Sequence, residues 1–456
     1  MSIKTVKISG LRGFGSEQTL NLAIPNGKLG GGLTILVGPN NGGKSTIIEA
    51  FKALSSSQPS TFAIGRRNQK TNSRIQITAR TENDATFGLR TVDSGGSQTV
   101  WDKPEGFNAP SIFVVPSRRF FSPWFGQQSH TRQSYIQGYP LTPVRGAAID
   151  QFAGRLFEIQ KSRAAFDEVL KRVLDPLPTW TIDQSEAGYF LRFELKGAYH
   201  SSEGLGEGLV SLFFIVDALY DAPDGSVIAI DEPELSLHPS LQRKLRALLS
   251  DWSQGHQIII ATHSPYFVDF TDVIAGGKIA RVHLCDADST ISNLSDAAVK
   301  QIDGFLKNRN NPHILGIDAR EVFFLGDNVI LVEGQEDVIC YPEVAARLNK
   351  EFAGRFFGWG VGGAENMTTI SSLLHDLGFA KVAGVLDSNK AEVAKSLRAQ
   401  FPKYRFFSSP ANDVRTKSAQ PGRGEVIGLL DDKGELRGEF RDAASKLIDD
   451  VNDALK

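Results

Sequence analysis

The run GPNNGGKS, residues 38–45, sets a lysine and a serine behind a glycine-rich turn in the spacing G-x-x-x-x-G-K-S. Glycines let backbone N–H groups curl around phosphates, and a helix starting at the lysine favours anions at its amino end. The pattern makes Gly38, Asn40, Asn41, Gly42, Gly43, Lys44, Ser45 and Thr46 a nucleotide-binding set. Lys44 reaches the β- and γ-phosphates, and the Ser45 hydroxyl holds Mg2+. A complementary set follows at SVIAIDEPELSLHP (226–239). Asp231 leaves the carboxyl end of an apolar strand, suited to the magnesium shell, and Glu232 is placed to activate a water against the γ-phosphate. The next apolar run, QIIIAT, delivers Thr262-His263-Ser264 and with it an imidazole that can sense the γ-phosphate. Upstream, SSEGLGEG (201–208) opens a helix with Ser202 and Gly204, and such helix starts bind anions through backbone N–H groups and the helix dipole.

A second chemistry is carried by acids. NVILVEGQEDVICY (328–341) puts Glu333 at the end of an apolar strand, with Glu336 and Asp337 close behind. KVAGVLDSN ends another strand in Asp387, 54 residues beyond Glu333, with Asn389 where a two-metal site would want a further acid. In open α/β sheets, sites form outside the carboxyl ends of strands. Glu333, Asp337, Asp387 and Asn389 offer oxygen ligands of the kind Mg2+ prefers, with Mn2+ an alternative. Two such ions stabilise the attacking and leaving oxygens of a phosphodiester displacement. The plainer reading of an acid after a strand is the first polar residue of a loop. Asparagine at 389 keeps an oxygen but loses a charge, which lowers metal affinity.

These residues need a scaffold of buried strands and covering helices. Strands are expected over 34–38, 227–230 and 257–262, and helices over 44–54 and 241–252, with Ile47, Ile48, Phe51 and Leu54 on one helix face. That alternation implies a mostly parallel sheet with helices on its faces. Residues 55–115 read as β-rich and 145–175 as helical. A polar stretch over 286–320, containing KNRNNPHILG, separates this part from a second alternation. There, strands are expected at NVILVEG, RFFGWGV, KVAGVLD and KYRFFS, with helices between them and a charged helical tail. The expected organisation is a domain over 1–310, with a helical, dimerisation-type insertion at about 120–200, and a smaller α/β domain over 325–456.

At 456 residues the chain is too long for one ordinary core, and 41% hydrophobic with 22% charged residues is the composition of a soluble protein. Neither a membrane span nor a signal peptide is expected, which points to the cytoplasm. Cys285 and Cys340 read as buried thiols in a reducing compartment. A net charge of −2 carries no overall nucleic-acid signal, so such contact would need local patches. GRRNQK (65–70) and SRRFF (117–121) are the candidates, though such short basic runs are more often solvated surface than a binding site, with Arg118 and Arg119 open to phosphate, DNA or solvent.

Taken in order, KISGLRGF, GPNNGGKS, SEGLGEG, DEPELSLHP and ATHSP resemble an ABC-type ATPase of the branch that includes SMC-like and RecF-like proteins. The resemblance implies nucleotide sandwiched between two heads, with Lys44, Ser45, Asp231, Glu232 and His263 acting in cis and Ser202 and Gly204 in trans. It therefore implies a homodimer or higher homo-oligomer through the heads. LVEG-x-x-D with a later strand-D-x-N resembles a Toprim domain, and WGVGGAENM and ANDVRTK resemble its nuclease branch. The combined order is similar to overcoming-lysogenization-defect (OLD) family nucleases. For that family Glu333, Asp337 and Asp387 are the metal and proton-transfer residues, and Lys417 stabilises transition-state charge. The implied function is an ATP- and Mg2+-dependent endonuclease on DNA or RNA, an anti-phage defence or DNA-processing effector working with an additional defence-system protein. The departure at Asn389 motivates an alternative, an ATPase sensor or scaffold whose degenerate Toprim domain binds a partner or nucleic acid without cleaving.

Overall fold

A computed structural model describes residues 1–70, 74–92, 97–117, 119, 126–127, 129, 131, 152–195, 197–201, 207–307, 313, 316–324, 326–419 and 424–456. The chain divides into two units, Met1–Asn293 and Leu294–Lys456. In the first unit β1 (Ile3–Ser9), β2 (Gln18–Asn21) and β3 (Leu33–Val37) precede α1 (Lys44–Ser55). Then come β4 (Gln76–Thr81), β5 (Thr86–Thr91), β6 (Thr99–Asp102) and β7 (Ile112–Val115). Helices α2 (Phe152–Lys161) and α3 (Arg163–Lys171) lead to β8 (Thr179–Ser185), β9 (Gly188–Leu195), β10 (Ala198–Ser201) and α4 (Glu207–Asp221). The unit closes with β11 (Val227–Asp231), α5 (Pro239–Trp252), β12 (Gln257–Ala261), α6 (Phe270–Ile274), β13 (Lys278–Cys285) and β14 (Asp288–Asn293).

Six strands form the central sheet in the order β14-β13-β3-β12-β11-β7, parallel except for the final antiparallel hairpin. Strands β3, β11 and β12 are buried along their whole length, because both faces are covered, which is why they read as unbroken apolar runs. A five-stranded antiparallel sheet, β2-β1-β4-β5-β6, shares one core with α1: Ile3, Val6 and Ile8 meet Ile47, Phe51 and Ala229. Each of these buried isoleucine, valine and phenylalanine side chains contributes about 1.5–3 kcal/mol.

The insertion expected to be helical is only partly so. Helices α2 and α3 are followed by an antiparallel sheet of β8, β9 and β10, hairpin-linked at Ser185↔Gly188. The stretch TWTIDQS-EA-GYFLRFEL alternates around a two-residue turn, a hairpin signal that the preceding helical period masked. Cys285 also departs from expectation: it is exposed at the end of β13, whereas Cys340 is buried.

The second unit begins with α7 (Asp296–Lys307), a helix assigned by the sequence reading to the first domain. It packs against α10 (Met367–Asp376), and the Ser295 hydroxyl ahead of it donates to Asp376. The division at 293/294 falls inside the polar stretch 286–320 that separates the two alternations in the sequence. The rest is α8 (Ile317–Glu321), β15 (Val329–Leu331), α9 (Gln335–Arg347), β16 (Arg355–Phe356), β17 (Val382–Leu386), α11 (Ala391–Gln400), β18 (Arg405–Ser408) and α12 (Arg441–Ala454). Its four-stranded sheet is parallel throughout, in the order β16-β15-β17-β18. The strand expected over RFFGWGV is only two residues long, since Gly358 and Gly360 take positive φ of 47° and 82° and turn the chain away. The charged tail is also a core element: Ala444, Leu447, Ile448 and Val451 of α12 pack with Val332, Tyr341 and Val385. Among the described residues no helix is long and apolar enough to cross a membrane.

Candidate functional site

In the first unit, β3 runs into the glycine loop and α1 starts at Lys44. Gly38 and Gly43 have φ of 127° and 115°, and Asn41 has 62°. A Cβ on Gly38 or Gly42 would stand 2.3 or 2.2 Å from the Val282 carbonyl oxygen, so close packing on β13 requires glycine at both positions. Lys44 is buried and its ammonium donates to the Gly38 and Pro39 carbonyls at 2.7 and 2.9 Å. Burial lowers it to about 8, against the opposing pull of Asp231, Glu234 and Glu232. The Ser45 hydroxyl donates to Asp231 Oδ1 at 3.1 Å, bringing together the two residues expected to share a cation. Nδ1 of His263 lies 3.5 Å from the Lys44 ammonium, and burial followed by that charge pushes the imidazole down to about 4. Asn40–Thr46, Glu232 and His263 line one cleft of about 980 Å³. Ser202, Gly204 and Arg118 lie outside the described residues.

Glu232 takes a left-handed φ of 50°, and its N–H donates to the Ala261 carbonyl at 2.7 Å. Two residues on, Glu234 does work that the sequence reading missed. Its carboxylate accepts the Thr262 hydroxyl at 2.7 Å and the His263 N–H at 2.5 Å, fixing the turn that carries the imidazole. Burial raises this carboxyl above its ordinary range. The local signal was DEPE itself, with a second acid two residues past the first.

Among the described residues, the arginines of both basic runs are buried, while Lys70 is exposed. Arg66, Arg67 and Asn68 are buried; Arg67 Nε donates to the Phe62 carbonyl and Asn68 Nδ2 to the Arg12 carbonyl. Arg119 is buried too, and its guanidinium is turned onto backbone carbonyls of the Asp231–Glu232 turn.

In the second unit, Glu333 follows β15 and Asp387 follows β17, its parallel neighbour. The Asp387 N–H donates to Glu333 Oε1 at 2.9 Å, so the two strand ends are in direct contact. Asp337, in the first turn of α9, accepts the Gly334 N–H at 2.9 Å. The loop after β16 closes on the same point, with Gly362 and Gly363 both donating to the Glu333 carbonyl at 2.9 Å. Burial, then Glu333 and Asp413 as like charges, pushes Asp337 up to about 6. Burial, then Glu333, Asp337 and Asp413, pushes Asp387 up to about 8. Lys417 donates to Asp413 at 2.6 Å and pairs with Glu336 at 2.9 Å, while Arg415 pairs with the other Glu336 oxygen at 2.7 Å.

Glu333, Asp337, Asp387, Asp413 and Lys417 line one cleft of about 730 Å³. Asn389 is not part of that lining; it is exposed on the 3-10 turn Ser388–Lys390. Asp413 was missed, although it stands within the ANDVRTK run. Nothing local marks it, since no apolar strand of the expected length leads directly into it.

The family described as "AAA domain, putative AbiEii toxin, Type IV TA system" matches residues 125–269. The overcoming lysogenization defect protein-like Toprim family matches residues 324–388, from before Glu333 to just past Asp387. The chain joins an AAA-type ATPase domain to an OLD-like Toprim domain. Over 302 residues it is 27% identical to an OLD nuclease of Thermus scotoductus, an alignment that covers 52% of this chain and 56% of the relative, so the chain spans little more than half of that protein. It is also similar to the SMC head domain from Thermotoga maritima, at 14% identity and TM-score 0.38 over 65% of this chain and 100% of that one. The Smc head domain with a coiled coil and joint from Pyrococcus yayanosii matches at 11% identity and TM-score 0.40, over 68% of this chain and 99% of that one.

The Toprim cleft fits a hard divalent cation. Its donors are carboxylate oxygens, and burial together with like-charge repulsion holds two of them above their ordinary range, a repulsion that a bound cation would relieve. Among the described residues no three acidic, histidine or cysteine side chains already converge as a closed metal cluster. A cation that keeps several waters and takes further oxygens from a phosphate suits such a set better than one needing a full protein cage.

Proposed function

We propose that the chain is an ATP-hydrolysing, divalent-metal-dependent nuclease whose ATPase domains close pairwise on nucleotide. The observation that carries this reading is the Toprim cleft, where Glu333, Asp337, Asp387 and Asp413 share one wall space with Lys417. A divalent cation, Mg2+ or Mn2+, supplies charge stabilisation for the oxygens of a phosphodiester under attack. Glu333, Asp337 and Asp387 would hold it. The chain's own contribution is to keep Lys417 directed by Asp413 and Glu336 into the cleft, where an anionic phosphate meets a fixed cation. Asp387 holds a proton at its carboxyl near neutral pH until a competing cation arrives.

In the ATPase domain, Lys44 and the loop N–H groups receive phosphates, Ser45 and Asp231 share the metal shell, and Glu232 orients the attacking water. Ser202 and Gly204 complete the partner head's site. DNA is the favoured substrate class and RNA the second, with a defence or DNA-processing role following from that chemistry.

The test incubates full-length protein with plasmid, single-stranded DNA and RNA, with Mg2+ or Mn2+ and with or without ATP. Asp387→Ala and Glu333→Ala are expected to lower cleavage at least about 100-fold, and Lys44→Ala to abolish ATP turnover while sparing the metal site. Cleavage that persists in Asp387→Ala would sink the site assignment. ATP turnover without cleavage of any substrate would establish the non-cleaving sensor or scaffold instead.

A further inference from the structure

Arg119 makes four hydrogen bonds that converge from three parts of the ATPase domain. Nε donates to the Ser211 hydroxyl at 2.9 Å, Nη1 to the carbonyls of Pro116 and Asp231 at 2.8 and 2.7 Å, and Nη2 to the Glu232 carbonyl at 2.6 Å. The residue is 5% exposed and Ser211 2%. Its backbone arrives there because β7 pairs in parallel with β11, Val115 opposite Ile230, so the two strands end side by side. Successive carbonyls do not normally face one point in a strand. Both are drawn to the guanidinium just where the chain leaves β11 and Glu232 adopts its φ of 50°. A left-handed glutamate is strained and persists only when its surroundings enforce it. A planar guanidinium with donors on two edges enforces it in a way that a lysine ammonium cannot.

The Ser211 bond adds a second link. Ser211 sits on α4, the helix that begins directly after the Ser202–Gly204 run. Resting on the ATP-hydrolysing reading of this domain, we propose that Arg119 is a positioning residue. It fixes the Asp231–Glu232 turn for hydrolysis and ties that turn to α4, so that the helix reading one nucleotide and the turn hydrolysing another move as a single piece.

The experiment uses the full chain and compares wild type, Lys44→Ala, Arg119→Lys, Ser211→Ala and the Arg119→Lys/Ser211→Ala double variant. Phosphate release yields kcat and KM for ATP, and a fluorescent ATP analogue yields Kd. Arg119→Lys is expected to lower kcat about 10- to 100-fold with Kd within about threefold of wild type, as misplacement of a catalytic group does. Ser211→Ala is expected to lower kcat about three- to tenfold with unchanged Kd. The double variant should fall no further than Arg119→Lys alone, because both changes cut one linkage. Turnover by Arg119→Lys within twofold of wild type overturns the proposal, as does a fall in kcat matched by an equal loss of affinity. If Arg119→Lys does not fold, Ser211→Ala decides: an unchanged kcat refutes the link to α4. Wild type no faster than Lys44→Ala removes the ATP-hydrolysis reading and this inference with it. Active wild type with an equally active Arg119→Lys removes this inference alone.

Discussion

Asp387 is a carboxyl that its surroundings keep protonated, and that has a measurable consequence. Its folded value of about 8 lies above the 3.8 of an ordinary aspartate, because it is half-buried beside Glu333 and Asp337. Between those two values the folded chain holds a proton that the unfolded chain has already lost, so the contribution of Asp387 to stability is full below about pH 4 and is lost as pH rises to 8. Asp337, pushed up to about 6, adds to the lower part of the same window. In EDTA, calorimetry should therefore show Tm falling from pH 5 to pH 8, and Asp387→Asn, which cannot ionise, should flatten the decline. A profile unchanged by that substitution would show that other groups set it. Mg2+ affinity should rise over the same interval, since the cation must displace these protons; titration calorimetry at pH 6, 7 and 8 measures it. At this scale, what the sequence made legible was what short spacing encodes: Lys44, Ser45, Asp231 and Glu232. Arg119 was not legible, since its partners Ser211, Asp231 and Glu232 lie 92 to 113 residues away, and the arginine pair it belongs to is spelled like any surface patch.

Among the elements, the glycine turn after β16 is the one whose geometry the site depends on most. Gly360 has a φ of 82°, and a Cβ there would meet the Gly334 backbone at 2.7 Å, directly behind Glu333. Gly360→Ala should cost about 1–3 kcal/mol through strain and overpacking, lowering Tm by several degrees. It should also reduce metal-dependent cleavage while leaving ATP turnover within about twofold, because it touches only the Toprim unit; assays of both activities on one preparation check this. Gly384 of β17 offers a comparison away from the carboxylates: an added Cβ would lie 2.4 Å from the Phe406 ring on β18, so Gly384→Ala should destabilise without specifically removing metal binding. Long buried strands and amphipathic helices were legible because both periods persist over several turns, as at β3, α1 and β17. The two-residue β16 and the β8–β9 hairpin were not, because a glycine at positive φ or a two-residue turn outweighs a short apolar run.

At the scale of the whole molecule, the nucleotide and carboxylate sites lie on different units, Met1–Asn293 and Leu294–Lys456. A ligand stabilises the unit that binds it, by about 2.7 kcal/mol at a hundredfold excess over Kd. Scanning calorimetry of the intact chain should therefore resolve a transition raised by ADP and one raised by divalent cation in the absence of nucleotide. Lys44→Ala should remove the first shift and leave the second, whereas Asp387→Ala should do the reverse. A single transition raised equally by both ligands would show that the two units unfold as one. The division itself was legible from the change of composition over 286–320, whereas the side to which α7 belongs was not. Its amphipathic period says that it covers an apolar surface, and nothing in its own residues says which.

The outward placement of Asn389 bears on how relatives of this chain are recognised. A search that demands a second aspartate two residues after Asp387 would set the chain aside as inactive. The cleft takes a further carboxylate from Asp413, 26 positions further along and beyond the matched Toprim segment. An inventory of this domain that counts acids along one turn therefore omits Asp413, and one that counts acids across the carboxyl ends of neighbouring strands includes it.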